Sequence, residues 1–241
     1  MSRGRFREDW KDCLNNAFVR DVHQLLAWGH QGAKASISSN DEEPVITGRI
    51  VAAIDAVLDH PDTPEHYDRY ERPHENKPIQ SADREGKHRP MPDIVLSMAG
   101  ARPRPSFTIE AKRLRSGGFP IGEYVGHSGL KCFVRGEYAA GSPVAAMVAY
   151  IQSHTPPHWL AQLADRLCSD TDGNLRIKRS LAPVSVIPDL PHEWVSEHHR
   201  KDSTPISVFH IFLDCCDPNG DPGAASAPLL PLCFTLPVNN I

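Results

Sequence analysis

Hydrophobic and polar positions along the chain follow helical and strand periodicities in turn, in blocks separated by polar loops. Apolar residues recur every three to four positions over residues 7–29 and again over 43–59, which is the spacing of a helix that buries one face. Short apolar runs at 94–96 and 106–109, bounded by turn residues and charges, are typical of strands. The pattern predicts two amphipathic helices followed by a β-hairpin with a long loop.

Further elements follow from the same patterns. They are a helix at 129–138, a buried strand at 145–151, a helix at 157–168, and strands at 174–188 and 205–214. Residues 60–91 are rich in His, Asp, Glu, Arg and Pro and predict a polar insertion, of a length that is uncommon unless a loop is functional or disordered. The Pro-, Gly- and Ala-rich stretch 217–232 indicates irregular structure.

Two carboxylates and one lysine lie at the ends of the predicted hairpin strands. Pro92-Asp93 leads into the first strand, and Glu110-Ala111-Lys112 ends the second. Because strand side chains alternate in direction, Glu110 and Lys112 point to one face and Ala111 to the other. If Asp93 lies beside Glu110, both carboxylates and the ammonium converge on one spot.

Such a cluster has the chemistry of a divalent-cation site. Carboxylate oxygens bind Mg²⁺ at about 2 Å, and a metal held by Asp93 and Glu110 lowers the pKa of a bound water and neutralises charge on a phosphate. Lys112 is then placed to position the attacking water and to stabilise a developing oxyanion. The backbone carbonyl of Ala111 is a further candidate metal ligand. The alternative is an ordinary hairpin with charged edges.

The spacing alone is a weak signal, because the chain contains two decoys. Pro61-Asp62 is followed by Glu75-Asn76-Lys77 and by Glu85-Gly86-Lys87, which repeat the same order of residue types. Neither decoy adjoins an apolar strand, since both lie in the polar insertion. Only the set formed by Asp93, Glu110 and Lys112 has its carboxylates attached to predicted strands.

Glu43, at the start of the predicted helix 43–59, is a candidate third acid. The apolar residues of this helix form one stripe, made of Ile46, Ile50, Ile54 and Val57. At 100° per residue Glu43 falls within that stripe and Glu42 at its margin, and Pro44 suits the first helical turn. The alternative is a helix N-terminus that is acidic only because of the helix dipole.

Several basic residues near the motif are candidates for contact with a phosphate backbone. They are Arg113, Arg115 and Lys131. The alternative for these residues is a solvated charged face. Near the C-terminus, His198 and Arg200 precede an apolar run and are also candidates for phosphate contact, although a surface histidine and a solvated arginine fit the same pattern.

The set Asp93, Glu110 and Lys112, with its flanking strands, resembles the PD-(D/E)XK nuclease superfamily over residues 40–152. Within 129–151, Gly-x-x-x-Phe-Val-x-Gly-x-Tyr followed by Met-Val-x-Tyr resembles a subgroup of uncharacterised bacterial nuclease-like proteins. The resemblance implies an α/β fold with a restriction-endonuclease-like α-β-β-β-α-β core, that is, a central mixed sheet flanked by helices. It makes Asp93 and Glu110 the two acids of the motif, Lys112 its lysine, and Glu43 the acid of the preceding helix.

The function implied by the resemblance is hydrolysis of phosphodiester bonds in nucleic acid, DNA more than RNA, with Mg²⁺ as cofactor and Mn²⁺ as its substitute. A role in bacterial DNA processing or phage defence belongs to the same expectation. A non-catalytic module on the same fold, which binds nucleic acid or a partner, is the alternative. A homodimer or a partner subunit is left open.

Length, net charge and cysteine content bear on the number of domains, the partner, the metal site and the location. The 241 residues predict a single domain, with an N-terminal helical extension at 1–40, a core at 41–152 and a C-terminal extension at 153–241. A net charge of −4 gives no global basic field. Six cysteines without a C-x-x-C pair argue against a zinc finger. With no signal-peptide pattern and no apolar stretch near the roughly 20 residues of a membrane helix, we expect a cytoplasmic protein with no membrane partner.

Overall fold

The computed structural model describes residues 3–79, 85–100, 102 and 104–216, with side chains from residue 16 onward. Its helices are α1 (Arg3–Ala33), α2 (Glu43–Leu58), α3 (Ile121–Tyr124), α4 (Leu130–Val134) and α5 (Pro156–Cys168). Its strands are β1 (His74–Glu75), β2 (Ile94–Ser97), β3 (Ser106–Leu114), β4 (Val144–Ile151), β5 (Ile177–Pro183), β6 (Glu193–His199) and β7 (Pro205–Asp214). The predicted irregular stretch 217–232 lies outside the described residues.

The strands form one seven-stranded mixed sheet in the order β1-β2-β3-β4-β7-β6-β5. The centre of the sheet, β3-β4-β7, is parallel, and the strands on either side are antiparallel. The predicted hairpin is present, because β2 pairs with β3 from Ile94 opposite Ile109 to Ser97 opposite Ser106. The predicted α/β class, with a mixed sheet flanked by helices, is confirmed.

Helices cover both faces of the sheet and divide the core into two layers. Buried residues of α1 and α2 pack on one face with Ile109 and Ala111 of β3. Buried residues of α3, α4 and α5 pack on the other face with Leu114. Since neighbouring residues of a strand alternate between the two layers, Glu110 and Lys112 lie on the side of α3 and α4.

Helices α1 and α2 fold as their apolar stripes predict. Phe18, Val22, Leu25 and Leu26 of α1 are buried, whereas the side chains of Trp10 and Leu14 lie outside the described residues. The stripe of α2 is buried at Ile46, Ile50 and Ile54. The two helices cross closely at Gly29, where a Cβ atom would lie 2.5 Å from Cγ1 of Ile54. This crossing fixes the start of α2, and with it Glu43, relative to the sheet.

Part of the predicted polar insertion 60–91 is ordered and packs against the core. It contains a 3-10 turn at Glu65–Arg69 and strand β1, and both Tyr67 and Tyr70 are buried. The hydroxyl of Tyr70 donates to Asp21 of α1 at 2.7 Å. Two aromatic rings supply enough apolar area to anchor a segment that is otherwise polar.

Three other elements differ from their predicted extents. The helix predicted at 129–138 is the single turn α4, and the strand predicted at 174–188 is the shorter β5. Strand β6 was not predicted at all, because its sequence Glu-Trp-Val-Ser-Glu-His-His has no apolar run. The strand forms nevertheless, since β5 and β7 pair with its main chain on both sides.

Candidate functional site

The β2-β3 hairpin leaves one edge of β3 uncovered beyond Ile109. Ile94, the first residue of β2, pairs with Ile109, whereas β3 continues to Leu114. On the opposite edge β4 pairs with the whole of this continuation. The main-chain N–H groups of Ala111 and Arg113 therefore have side chains, instead of a described strand, as their partners.

Two of the predicted acids accept those N–H groups. Asp93 lies just before β2, and its Oδ2 accepts the N–H of Ala111 at 2.7 Å. Glu43 is the first residue of α2, and its Oε2 accepts the N–H of Arg113 at 3.2 Å. Glu42 is exposed, so the helical pattern identified the correct glutamate.

Lys112 places its ammonium group among three carboxylates. Its Nζ lies 2.8 Å from Oε1 of Glu110, 2.9 Å from Oε1 of Glu43 and 3.9 Å from Oδ2 of Asp93. It also donates to the carbonyl of Ala111 at 2.6 Å, while the Ala111 side chain is buried on the opposite face. The structure thus brings together the four predicted catalytic side chains and the predicted backbone carbonyl.

Burial and crowding of these charges shift their pKa values. Burial raises the pKa of Asp93 to about 6, although Lys112 and the N–H of Ala111 oppose the change. Burial, and then repulsion by Asp93, raises the pKa of Glu110 to about 8. Burial lowers the pKa of Lys112, but Glu110, Asp93 and Glu43 outweigh it and raise that pKa above its ordinary value. At neutral pH the cluster therefore holds a cationic lysine and a glutamate that retains much of its proton.

One oxygen of this cluster has no partner. Oε2 of Glu110 is buried and has no hydrogen-bond partner among the described residues. When Glu110 is protonated, its carboxyl group can donate a hydrogen bond of its own. This agrees with the hydrogen bond from Glu110 that lowers the pKa of Asp93. A buried carboxylate oxygen needs a proton, a donor or a cation, so this atom marks where a positive ion is favoured.

The donor set fits a divalent cation. When all are ionised, the three carboxylates and the ammonium carry a net charge of −2, which one Mg²⁺ or Mn²⁺ neutralises. As they now stand, no group of three or more His, Cys, Asp or Glu among the described residues has a metal-binding arrangement. Lys112 lies among the carboxylates, with its Nζ within 3.9 Å of all three.

The loop before α2 is fixed by hydrogen bonds that converge on Asp41. The carbonyl of Asp41 accepts Nε2 of Gln152 at 2.7 Å and Nη1 of Arg113 at 3.2 Å. Its carboxylate accepts the N–H of Ser38 at 2.6 Å and pairs with Arg49. Because Asp41 stands two residues before Glu43, these contacts hold the third acid at the edge of β3.

Gln152 is the residue of this region that the sequence did not indicate. It is buried directly after β4, and its Oε1 has no hydrogen-bond partner among the described residues. The available signal was its position, since polar residues at the carboxyl ends of adjacent parallel strands meet at one sheet edge. Gln152 supports the loop that carries Glu43.

The three basic candidates occupy different environments. The guanidinium of Arg113 lies over the ring of Phe119, 3.7 Å from its centroid, in addition to its bond with Asp41. Among the described residues, the guanidinium of Arg115 makes one long contact, 3.5 Å, with the carbonyl of Ser39. Lys131 of α4 is half-buried and has no ion-pair partner in the described part of the chain. Arg113 thus already has structural partners, whereas Arg115 and Lys131 keep donors for a ligand.

His198 belongs to a buried hydrogen-bond chain, so its assignment to a phosphate site or to the surface is wrong. Its Nδ1 donates to the carbonyl of Leu175 at 2.6 Å, and its Nε2 therefore accepts the hydroxyl of Ser196 at 2.7 Å. Ser196 in turn accepts Nε2 of His210 at 2.8 Å. The hydroxyl proton of Tyr124 is shared between Nδ1 of His210 at 3.0 Å and the carbonyl of Met147 at 3.2 Å. Burial lowers the pKa of His210 to about 3, which keeps the chain neutral.

Arg200 is likewise buried, contrary to both sequence interpretations. Its guanidinium donates to the carbonyls of Ala139 at 2.8 Å, Ser142 at 2.5 Å and Pro205 at 3.2 Å. These carbonyls flank the start of β4 and β7. Arg200 therefore ties the N-terminal ends of two central strands together and faces no solvent.

Replacing Ser196 with Ala tests the structural role of the buried chain. We expect the free energy of unfolding to fall by about 2 to 4 kcal/mol, because two buried imidazole nitrogens lose their partner. Urea unfolding followed by circular dichroism measures this change. Ser207→Ala, on the neighbouring strand, is the control and should change stability by less than about 1 kcal/mol. Equal effects of the two substitutions would contradict the assigned hydrogen bonds.

Comparison with known proteins leaves the site to be interpreted from its own geometry. No family model, no curated protein and no solved structure matches this chain. Within the ranges that the structure describes, no helix combines the length and the apolar character needed to cross a bilayer.

Proposed function

We propose that this chain is a divalent-metal-dependent nuclease of the PD-(D/E)XK type, which hydrolyses phosphodiester bonds in nucleic acid. The strongest support is that four side chains from three separate segments, Glu43, Asp93, and Glu110 with Lys112, meet at one strand edge. Lys112 and Glu43, 69 residues apart, lie 2.9 Å from each other. Clustering like charges at a cost in stability is typical of functional sites.

The order of elements gives further support. Helix α2 is followed along the chain by β1, β2, β3, the short helices α3 and α4, and then β4. This order is compatible with the restriction-endonuclease-like core, with Asp93 and Glu110 at neighbouring ends of the β2-β3 hairpin. The described cysteines Cys132, Cys168, Cys215 and Cys216 are free, which suits the reducing cytoplasm that we infer as the location.

Each residue then has a distinct part in the reaction. Asp93, Glu110 and the carbonyl of Ala111 would hold Mg²⁺, which would supply charge neutralisation at the phosphate and an acidified water. Lys112 leaves its carboxylate partners to donate to the attacking water and to the phosphate oxygens. Glu43 orients that water from the end of α2. Arg115 and Lys131 contribute positive charge for the nucleic-acid backbone, with DNA as the proposed substrate.

A cleavage assay with matched variants tests this function. We expect purified protein with Mn²⁺ or Mg²⁺ to cleave plasmid or single-stranded DNA, and to cleave RNA less well. Asp93→Ala and Lys112→Ala should abolish the activity, because one removes a metal ligand and the other the only cation of the cluster. The decoy residues supply the controls, since Asp62 and Lys87 are exposed. Asp62→Ala and Lys87→Ala should therefore cleave like the wild type.

Equal activity in all five proteins would identify a contaminating nuclease and overturn the proposal. The same holds if chelation of divalent metal leaves the activity unchanged.

A non-catalytic module on the same fold is the second candidate, favoured by the contacts that Lys112 already makes with Glu110 and Glu43. If Lys112 stays paired with Glu110 and Glu43, the cluster is a structural network of ion pairs. Calorimetric titration with Mn²⁺ separates the two. Binding that is lost in Asp93→Asn supports the nuclease, and no binding by the wild type supports the module.

A further inference from the structure

A separate cleft opens at the end of β3, next to the acidic cluster formed by Glu43, Asp93, Glu110 and Lys112. Its volume is about 480 Å³, and it is lined by residues 115–118 and by Trp159 and Gln162 of α5. None of these described lining residues is acidic, and Arg115 contributes a guanidinium. A cleft with this lining suits an anionic ligand.

A hydrogen-bonded group of side chains supports the wall of this cleft. Oγ of Ser116 lies 2.6 Å from Nε2 of His154, and the His154 ring stacks on His158 with centroids 4.1 Å apart. Nε2 of His158 is 2.8 Å from Nε2 of Gln162. His154 has a φ of 60°, which a non-glycine residue adopts at a cost on the order of 1 kcal/mol. The wall is therefore held in place by contacts that offset this strain.

The cleft also leaves its backbone accessible. A Cβ atom at Gly117 or Gly118 would meet no atom within 4 Å, so this turn presents main chain to open space. The ring of Trp159 forms a fixed floor, because its Nε1 donates to the carbonyl of Ser153 at 2.7 Å. The N–H of Gly118 donates to the carbonyl of Arg115 at 3.4 Å, a long hydrogen bond that closes this turn. A phosphate can thus approach the turn and the Arg115 side chain together without displacing a side chain.

The cleft lies at a distance from the acidic cluster that allows one nucleic-acid strand to contact both sites. Arg115 and Ser116 follow Lys112 by three and four residues, which corresponds to about 10 to 13 Å at the rise of a strand. A nucleic-acid strand rises about 3.4 Å per nucleotide, so this distance spans about three to four nucleotides.

We propose that this cleft binds a phosphodiester about three to four nucleotides from the bond that is cut. The inference rests on the proposed nuclease function and names a contact that the acidic cluster cannot make. Arg115 is its principal phosphate ligand, since its long contact with Ser39 leaves guanidinium donors available. The Gly117-Gly118 main chain and the Ser116 hydroxyl complete the site.

Charge insertion at Gly118 tests the cleft without touching the acidic cluster. Gly118→Glu places a carboxylate beside the phosphate, and its Cβ has open space. We expect fluorescence anisotropy with a labelled oligodeoxynucleotide in EDTA to show about tenfold weaker binding and a salt slope reduced by about 0.9. Gly118→Lys should bind more tightly than the wild type. Ala56→Glu, on the exposed far end of α2, adds the same charge elsewhere and should bind unchanged.

Oligonucleotides that are shortened on one side of the cleavage point, either the 5′ or the 3′ side, show on which side the cleft contacts the strand. We expect the wild type to lose affinity when one flank falls below about three nucleotides, and Gly118→Glu to be indifferent to that shortening. Equal affinity of Gly118→Glu and Gly118→Lys overturns the inference, as does competition by thymidine monophosphate as strong as that by the oligonucleotide. Because binding is measured without metal, charge-independent binding overturns only the cleft. Absence of cleavage by the wild type overturns the nuclease function and the stated distance of the cleft from the cut, while the charge dependence at Gly118 still tests whether the cleft binds phosphate.

Discussion

Glu110→Gln is expected to reduce metal-dependent cleavage by about three orders of magnitude, equivalent to about 4 kcal/mol of transition-state stabilisation. The amide keeps the shape of the side chain and can still accept from Lys112. It cannot supply the anionic oxygen that a divalent cation requires, and Oε2 of Glu110 is buried without a hydrogen-bond partner among the described residues. Single-turnover cleavage of a labelled duplex with saturating Mn²⁺ measures the loss.

The matched control for this substitution is Glu85→Gln. Glu85 belongs to one of the decoy motifs and is exposed, so the same change of charge there should leave the rate within about twofold. A Glu110→Gln protein that retains wild-type activity would exclude Glu110 as a metal ligand and would leave the Glu110 carboxylate without a chemical role.

The metal-free protein is expected to become less stable as the pH rises from 6.5 to 8.5. Glu110 has its pKa raised to about 8 in the folded protein, so in this range the folded state binds more protons than the unfolded chain. The free energy of unfolding then falls with pH, by about 2 kcal/mol in total. Buried histidines such as His210, with a pKa lowered to about 3, act in the opposite direction, but only below their unfolded pKa of about 6.5.

Urea unfolding at a series of pH values, with and without Mn²⁺, measures this dependence. Glu110→Gln should remove the decline above pH 6.5, because it removes the titrating group. Mn²⁺ at 100 times its dissociation constant should restore about 2.7 kcal/mol at the upper pH, since the ion replaces the proton. A wild-type curve that is flat over this range and indifferent to Mn²⁺ would show that Glu110 is ionised and satisfied by Lys112 alone.

The hairpin and its acids were predictable from sequence because each rests on a local pattern. The apolar runs on either side of the turn fixed the pairing of β2 with β3, and the pairing placed Asp93 beside Glu110. Glu43 was found from the helical periodicity of α2, which gives the direction of a side chain from neighbours a few residues away.

The elements that escaped prediction depend on distant partners. Strand β6 has no apolar run, and its Ser196 and His198 are stable inside the protein only because His210 and Tyr124 complete a hydrogen-bond chain. The role of Gln152 depends on Asp41, 111 residues away. Such pairings carry no local signature, since each residue alone is typical of a polar surface.

Because one edge of β3 is uncovered, the length of β2 decides whether the acids of the cluster can assemble there. The donors that seat Asp93 and Glu43 are main-chain groups of Ala111 and Arg113, available only because β2 stops short. In the observed register, residue 92 would lie opposite Ala111 and residue 90 opposite Arg113, so a β2 extended by four residues would occupy both donors with its own backbone and displace Asp93 and Glu43. Under the proposed function, an insertion before Ile94 that extends β2 in this way is therefore expected to abolish cleavage as completely as the loss of an acid, although every side chain of the cluster is still present.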